Sequence, residues 1–197
     1  MPNLNTCIKT AAGTIVTPKG RLSYAQDMVN ANPRNKTKDG KQKYQVSLLI
    51  PPSADISMLK EAAAQAGKEK FPNLLPHQKL KSPFLDAYEK SGDEAFKDWI
   101  LLRVSTTTPP GIVDARGNHV TDTATEVYSG RWARLSVRAA GYDTDGNKGV
   151  SFFLSNCQLL DHDEPLGGGR ARPENEFVPV DIGDSAGGAG SAEDLFG

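Results

Sequence analysis

Long apolar runs are missing from this chain of 197 residues. The best of them, Val46–Ile50 and Trp99–Leu102, fall far short of the roughly 20 residues that span a bilayer. The opening Met1–Gly13 has no apolar stretch of the kind a secretory leader carries. The expectation is a protein that neither crosses a membrane nor is exported. Cysteine is scarce as well: Cys7 and Cys157 are the two present, too few for a disulfide-braced scaffold and read as reduced thiols in an unexported chain.

Catalytic and metal-binding patterns are equally thin. His77 and His119 stand alone in Pro- and Gly-rich loops, with no HxxxH or CxxC companion. Asp161-His162-Asp163-Glu164 puts one histidine among three acids and reads as a solvated strand exit. Asp143–Asn147 looks briefly like a calcium loop, but its spacing is wrong and the twelfth position, which needs a glutamate, is Phe152. Gly167–Arg170 lacks the Gly-Lys-Ser/Thr ending of a phosphate loop, and no GxSxG nucleophile elbow occurs. No catalytic residue, metal or cofactor is expected, and the chain is not read as an enzyme.

Net charge is also small, −1, yet its distribution is uneven. Met1–Ile50 carries eight Lys/Arg against two Asp/Glu, or +6, and Glu174–Gly197 carries six acids and no cation, or −6. Without that acidic end the body stands at +5. A basic body with a detached acidic segment suits a polyanionic partner, with the segment as an internal competitor. A solvated surface with a solubilising tail fits the charge equally well.

The patterning reads as strands with one good helix. Gly13–Tyr24, interrupted by Pro18-Lys19-Gly20, suggests one bent or bulged strand. Asn32–Gln42 is a polar loop bearing Arg34, Lys36, Lys38 and Lys41, with Lys43 at its edge. Lys43–Ile50 alternates, placing Tyr44, Val46, Leu48 and Ile50 on one face and Lys43, Gln45 and Ser47 on the other, a half-buried strand ended by Pro51-Pro52. Ser53–Lys70 changes period, with Ile56, Leu59, Ala63 and Ala66 at helical spacing, Ser53 or Asp55 as cap and Gly67 near the exit. Its thin apolar stripe predicts a helix outside a β core. Phe71–Lys97, cut by Pro72, Pro76 and Pro83, reads as an irregular excursion. Asp98–Thr107 is a strand, and Ile112-Val113 a short continuation. Roughly five strands and one helix favour an all-β, β-rich α+β fold: a small Greek-key barrel.

The most informative stretch is Arg131–Asp161. Side chains alternate along a strand, so Ala133, Leu135, Val137 and Ala139 form an inner set. Trp132, Arg134, Ser136, Arg138, Ala140 and Tyr142 then share the outer face. Asp145-Gly146 is a strong two-residue turn signal. A hairpin closed there pairs residue 138 with 153 and 140 with 151, which puts Phe153 outside beside Arg138 and Val150, Phe152 and Leu154 inside. A three-residue loop exchanges Phe152 and Phe153. An exposed surface of interleaved aromatics and guanidiniums suits sequence-tolerant binding of single strands, where stacking contributes about 1–3 kcal/mol per base. The competing reading has the helix or the Phe71–Lys97 excursion covering that face, which makes Trp132 part of a second core.

Three stretches carry a resemblance. Gly20–Met28 (GRLSYAQDM), Lys43–Pro51 (KYQVSLLIP) and above all Glu126–Phe177 resemble the single-stranded-DNA-binding proteins of tailed phages, close to the podovirus replication group. The most specific parts are Val127–Gly130, Gly146–Gly149 and Glu164–Gly168. The resemblance implies a five-stranded OB-fold barrel over residues 1–177, with one helix between early strands, and a disordered acidic tail over 178–197. It implies a protein that coats single-stranded DNA during replication and recombination in the cytoplasm of an infected bacterial host. DNA-binding residues are then expected at Trp132, Arg134, Arg138, Tyr142, Phe153, Arg34, Lys36, Lys38, Lys41, Lys43 and Arg21. The tail is expected to compete with DNA for this groove. Its tip, Glu193, Asp194, Leu195 and Phe196, is expected to offer a contact to a phage polymerase or helicase, although here the aromatic is penultimate rather than terminal. A homodimer is left open. A virion-associated or protein-interaction β-barrel using the same aromatic face is the alternative.

Overall fold

Where prolines and glycines fall decides how the strands are cut. In chain order the elements are β1 (Ile8–Lys9), β2 (Ile15–Val16), β3 (Gly20–Ser23), α1 (Gln26–Val29), β4 (Tyr44–Ile50), α2 (Ser57–Lys70), β5 (Phe84–Asp86), α3 (Ala87–Ser91), β6 (Ile100–Thr106), β7 (Gly111–Val113), α4 (Thr123–Glu126), β8 (Trp132–Thr144) and β9 (Asn147–Leu159). The structure, a computed structural model, describes residues 3–37, 39–75 and 78–167. The expected domain boundary at 177/178 and the acidic tail lie outside the described residues, as does Lys38.

The expected bent strand is β2 plus β3. Both pair antiparallel with β8, Ile15 opposite Val137 and Val16 opposite Ser136, then Gly20 opposite Ala133 and Arg21 opposite Trp132. From Val16 to Gly20 the chain takes one more residue than β8 does, so a bulge holds Pro18, which has no N–H to give. Thr17 carries the ladder across the gap. Its N–H donates to the Leu135 carbonyl at 2.9 Å, and its Oγ1 accepts the Leu135 N–H at 3.0 Å.

Counting β2–β3 as one, five strands close a ring: β2–β3 pairs with β4, β4 with β6, β6 with β9, β9 with β8, and β8 with β2–β3. All contacts are antiparallel except β6 with β9. In sequence order the neighbours run 1-2-3-5-4-1, the Greek-key closure of an OB-fold barrel. β1 extends β2, β5 lies along the first half of β6, and β7 lies parallel to β9.

The barrel interior is filled by Leu22, Val46, Leu48, Ile50, Leu102, Val104, Leu135, Val137, Phe152 and Leu154. α2 begins at Ser57 rather than Ser53, and Asp55 Oδ1 accepts the Ser57 N–H at 2.9 Å just ahead of its first turn. Its stripe of Leu59, Ala63 and Ala66 merges with the barrel core. The helix packs against β8 and β9, and Gly141 permits this: a Cβ there would lie 2.5 Å from that of Lys70.

Two expectations are corrected. β4 is not half-buried along its length, since Ser47 and Leu49 are buried as well as Val46, Leu48 and Ile50. The 71–97 segment is more than an irregular excursion. It contributes β5, α3 and a 3₁₀ turn over Glu94–Phe96. α3 is capped by Asp86, whose side chain accepts the Glu89 N–H, and is ended by Gly92 at φ +70°. Through Ala87 and Phe96 this segment builds a second apolar cluster with Leu49 and Leu101, on the outer side of β4 and β6.

Candidate nucleic-acid interface

The β8–β9 hairpin has the expected register, Arg138 opposite Phe153, Ala140 opposite Ser151 and Thr144 opposite Asn147. Asp145 and Gly146 form its turn, with φ of +51° and +79°, the two left-handed residues of a type I′ hairpin. Phe152 is therefore the inner phenylalanine, 1% exposed, and Phe153 the outer one, 51% exposed. Ser136 faces Asn156 but Val137 faces Leu154, so β9 carries one extra residue there. That bulge resets the parity and brings Cys157 and Leu159 into the core.

The registers of neighbouring strands place a row of side chains across the outside of the barrel. Arg138 faces Phe153, Phe153 faces Ser105 on β6, and Ser105 faces Gln45 on β4. One step along the same face, Arg103 is exposed opposite Ser47, and Ser47 is opposite Ser23. Arg103 and Ser105 were not singled out from the sequence, and Gln45 was placed on a strand face without being assigned to binding. The alternation of Leu102 and Val104 inward against Arg103 and Ser105 outward carries the same signal that β8 does. This is the surface of barrel strands two and three, with strand five beside it. The 24–43 connection and the 145–146 turn join strands one to two and four to five, the loops that border the oligonucleotide face of OB folds.

Within the 24–43 connection the basic residues sit on a small hairpin. Lys36 bridges Gln42, Thr37 N–H donates to Lys41 O at 2.9 Å, and Lys43 N–H donates to Asn35 O at 3.0 Å. Arg34, Lys36 and Lys41 are exposed and Lys43 half-buried. Tyr142 is half-buried because its ring lies over Gly149, where a Cβ would come within 2.6 Å of the phenol oxygen.

Three of the expected DNA-binding residues, Arg134, Arg21 and Trp132, make contacts within the fold. Arg134 is 4% exposed. Its Nε donates to the Thr17 carbonyl at 2.9 Å, in the bulge between β2 and β3, while one terminal nitrogen has no partner. Burial lowers its pKa below the usual arginine value. Arg21 Nε donates to Gly130 O at 3.0 Å and lies 3.5 Å from Asp163, and its terminal nitrogen donates to Glu164 O. Trp132 donates its indole N–H to Asp163 Oδ2 at 2.8 Å, packs its ring 6.3 Å from Trp99 and has Lys19 Nζ 5.1 Å above it. Trp132 is thus half-buried beside Trp99, which packs on the second cluster, and what sits against it is neither the helix nor the 71–97 segment. The outer face of β8 is divided, closed around Trp132 and Arg134 and open around Arg138.

The closed half is a latch between two of the recognisable motifs. Leu166 N–H donates to Ser129 O at 2.8 Å, and Gly130 at φ +107° lets the 164–166 backbone approach. Buried Arg131 reaches Glu126 Oε2 at 2.7 Å and His162 Nδ1 at 2.9 Å, and Tyr128 stacks on the His162 ring. The Asp163 carboxyl is held below its usual pKa by the Glu164 N–H, then by the Trp132 indole and Arg21.

Among the described residues no cluster of three or more His, Cys, Asp or Glu side chains is arranged to hold a metal, and no helix is long and apolar enough to cross a membrane. Both cysteines are free thiols, pushed up by burial to about 11 for Cys7 and about 12 for Cys157. An open recess of about 420 Å³, lined by Phe71, Leu74, Leu80, Phe84 and Val150, lies between the end of α2 and the 71–84 segment.

Residues 13–196 match the family described as the single-stranded-DNA-binding protein of Enterobacter phage Enc34. No curated protein matches the chain. Among solved structures, the single-stranded DNA-binding protein from bacteriophage Enc34 in complex with single-stranded DNA superposes with a TM-score of 0.70 at 17% identity, covering 85% of this chain and 97% of that one. A C-terminal truncation of the same phage protein gives 0.67 at 17% identity over 84% and 95%. The single-stranded DNA binding protein gp2.5 encoded by bacteriophage T7 gives 0.58 at 16% identity over 83% and 99%.

Proposed function

The chain belongs to the Enterobacter phage Enc34 family of single-stranded-DNA-binding proteins, and on that premise we propose that it binds and coats single-stranded DNA during phage DNA replication. It acts as a binder rather than an enzyme, in the cytoplasm of the infected host. The observation that carries the reading is Phe153, a half-exposed phenylalanine on barrel strand five, set between Arg138 and Ser105. Burying it in a contact removes apolar surface from water, and a base is the ligand whose flat face matches a ring flanked by a guanidinium. Arg138 and Arg103 on the face, with Arg34, Lys36 and Lys41 on the neighbouring loop, are the cations that meet the phosphates. A duplex hides its base faces in its own stack, so single strands are preferred.

The acidic residues of 174–197 are assigned the part of a competing polyanion. The Glu193–Phe196 tip is assigned that of a docking segment for a polymerase or helicase. Both assignments rest on the sequence alone.

Titration with labelled oligo(dT) and with a duplex of equal length tests the central reading. The single strand binds more tightly, and log K falls with log salt at a slope of about −3 to −4 if all five cations are neutralised. Equal affinity for duplex, or no dependence on salt, overturns it. Deleting 181–197 raises affinity at low salt; unchanged affinity removes the tail from the mechanism.

A further inference from the structure

Tyr24 is 67% exposed, more than Phe153 or any other exposed large apolar side chain among the described residues. Its backbone has φ +55°, a conformation that tyrosine adopts at a cost and that persists only where the surroundings impose it. The surroundings here are specific. Gly130 N–H donates to Leu22 O at 2.7 Å, and Leu22 N–H donates to Arg131 O at 2.9 Å, just before Tyr24. Just after it, Ala25 N–H donates to Ser129 Oγ at 3.2 Å, and Gln26 Nε2 donates to Val127 O at 2.7 Å. Ala25 and Met28 are fully buried, and the Tyr24 carbonyl accepts the Asp27 N–H at 3.2 Å. Two motifs distant in sequence, Gly20–Met28 and Val127–Gly130, thus grip each other around one strained residue. Its ring makes no hydrogen bond or ring contact with other described residues.

Folding gains nothing from an unpacked ring held in a strained backbone, whereas a ligand would. The position fits a ligand already argued for. Ser23 is opposite Ser47, and Ser47 is opposite exposed Arg103, so Ser23 lies about 10 Å from Arg103, two strand spacings away. Tyr24 follows at the start of the connection that carries Arg34, Lys36 and Lys41. We propose that Tyr24 is a second stacking platform for single-stranded DNA, at the β3 end of the face whose other aromatic is Phe153, preset by the Ser129–Gln26 clamp. This inference rests on the single-strand reading above and extends the bound strand across β4 to the first barrel strand.

The test measures oligo(dT) affinity and thermal midpoint together in the full chain for Tyr24→Phe, Tyr24→Ala and Tyr24→Gly. Loss of one stacked base lowers affinity about 5- to 150-fold in Tyr24→Ala and Tyr24→Gly. Tyr24→Phe keeps wild-type affinity. Glycine relaxes the positive φ, so Tyr24→Gly melts no lower than wild type while binding more weakly, a combination that a packing role does not produce. Wild-type affinity in Tyr24→Ala and Tyr24→Gly overturns the inference, and so does a lowered melting point in Tyr24→Gly. Equal losses in Tyr24→Phe and Tyr24→Ala assign the effect to the hydroxyl and overturn stacking. A wild-type chain that ignores oligo(dT) overturns both this inference and the functional reading; binding by wild type with unaffected Tyr24 variants overturns this one alone.

Discussion

Truncating two adjacent phenylalanines separates binding from folding. Phe152 is 1% exposed, packs edge-on to Phe84 at 5.9 Å and belongs to the barrel core. Phe152→Ala leaves a cavity where neighbours on three strands converge, and such losses cost about 3–5 kcal/mol. With a urea dependence of about 2 kcal/mol per molar, the unfolding midpoint falls by roughly 2 M. Phe153, one residue on, is 51% exposed and points to the other side of the sheet. Phe153→Ala removes little buried surface, and its effect on stability stays within about 0.5 kcal/mol, the range of ordinary surface changes. Its effect on single-strand affinity is the loss of one stacking surface, about 1–3 kcal/mol, or roughly 5- to 150-fold in Kd. Urea unfolding followed by circular dichroism and oligo(dT) titration followed by anisotropy give the two quantities for each variant. The reasoning is refuted if Phe153→Ala binds as tightly as wild type, or if its midpoint falls as far as that of Phe152→Ala.

Arg134 gives the opposite kind of test. A buried cation with one unpartnered nitrogen is a poor source of stability, so Arg134→Met leaves the melting point unchanged or raises it and leaves oligo(dT) affinity alone; a loss of affinity returns Arg134 to the DNA face. Alkaline pH probes the core. Cys157 has its folded pKa raised by burial to about 12, against about 8.5 for a free thiol. Between those values the native state keeps a proton that the unfolded chain loses, so stability falls as pH rises, by about 2 kcal/mol at pH 10. Cys157→Ala removes that part of the pH dependence in urea melts from pH 7 to 10, and an unchanged slope contradicts the assignment.

The hairpin was legible because its information is local. Alternation from Ala133 to Ala139 and the Asp145-Gly146 turn determine both register and facing, and Phe152 and Phe153 follow from them. The bent first strand was legible from Pro18 for the same reason. Which part of an outer face stays open is a different matter, decided by segments remote in sequence. Trp99, the Asp163 carboxylate and Lys19 meet the Trp132 ring, and a carbonyl exposed by the Pro18 bulge takes up Arg134. Parity assigns a side chain to a face and says nothing about what covers it. Arg21 shows the same limit, since its partners Gly130, Asp163 and Glu164 lie more than a hundred residues away. Arg103 was accessible to the parity argument, but lay in a strand whose apolar run, Ile100–Leu102, reads as core.

The central claim is that the outside of β4, β6 and β9, around Phe153, receives single-stranded DNA. Amide hydrogen exchange followed by mass spectrometry, with and without saturating oligo(dT), tests it on the intact chain. Protection is expected in peptides covering 44–47, 103–106 and 151–155 and in the 24–43 connection, with no change in the recess-lining peptides 63–75 and 80–84. Protection confined to those recess peptides, or to the latch at 126–132 and 160–166, contradicts the account.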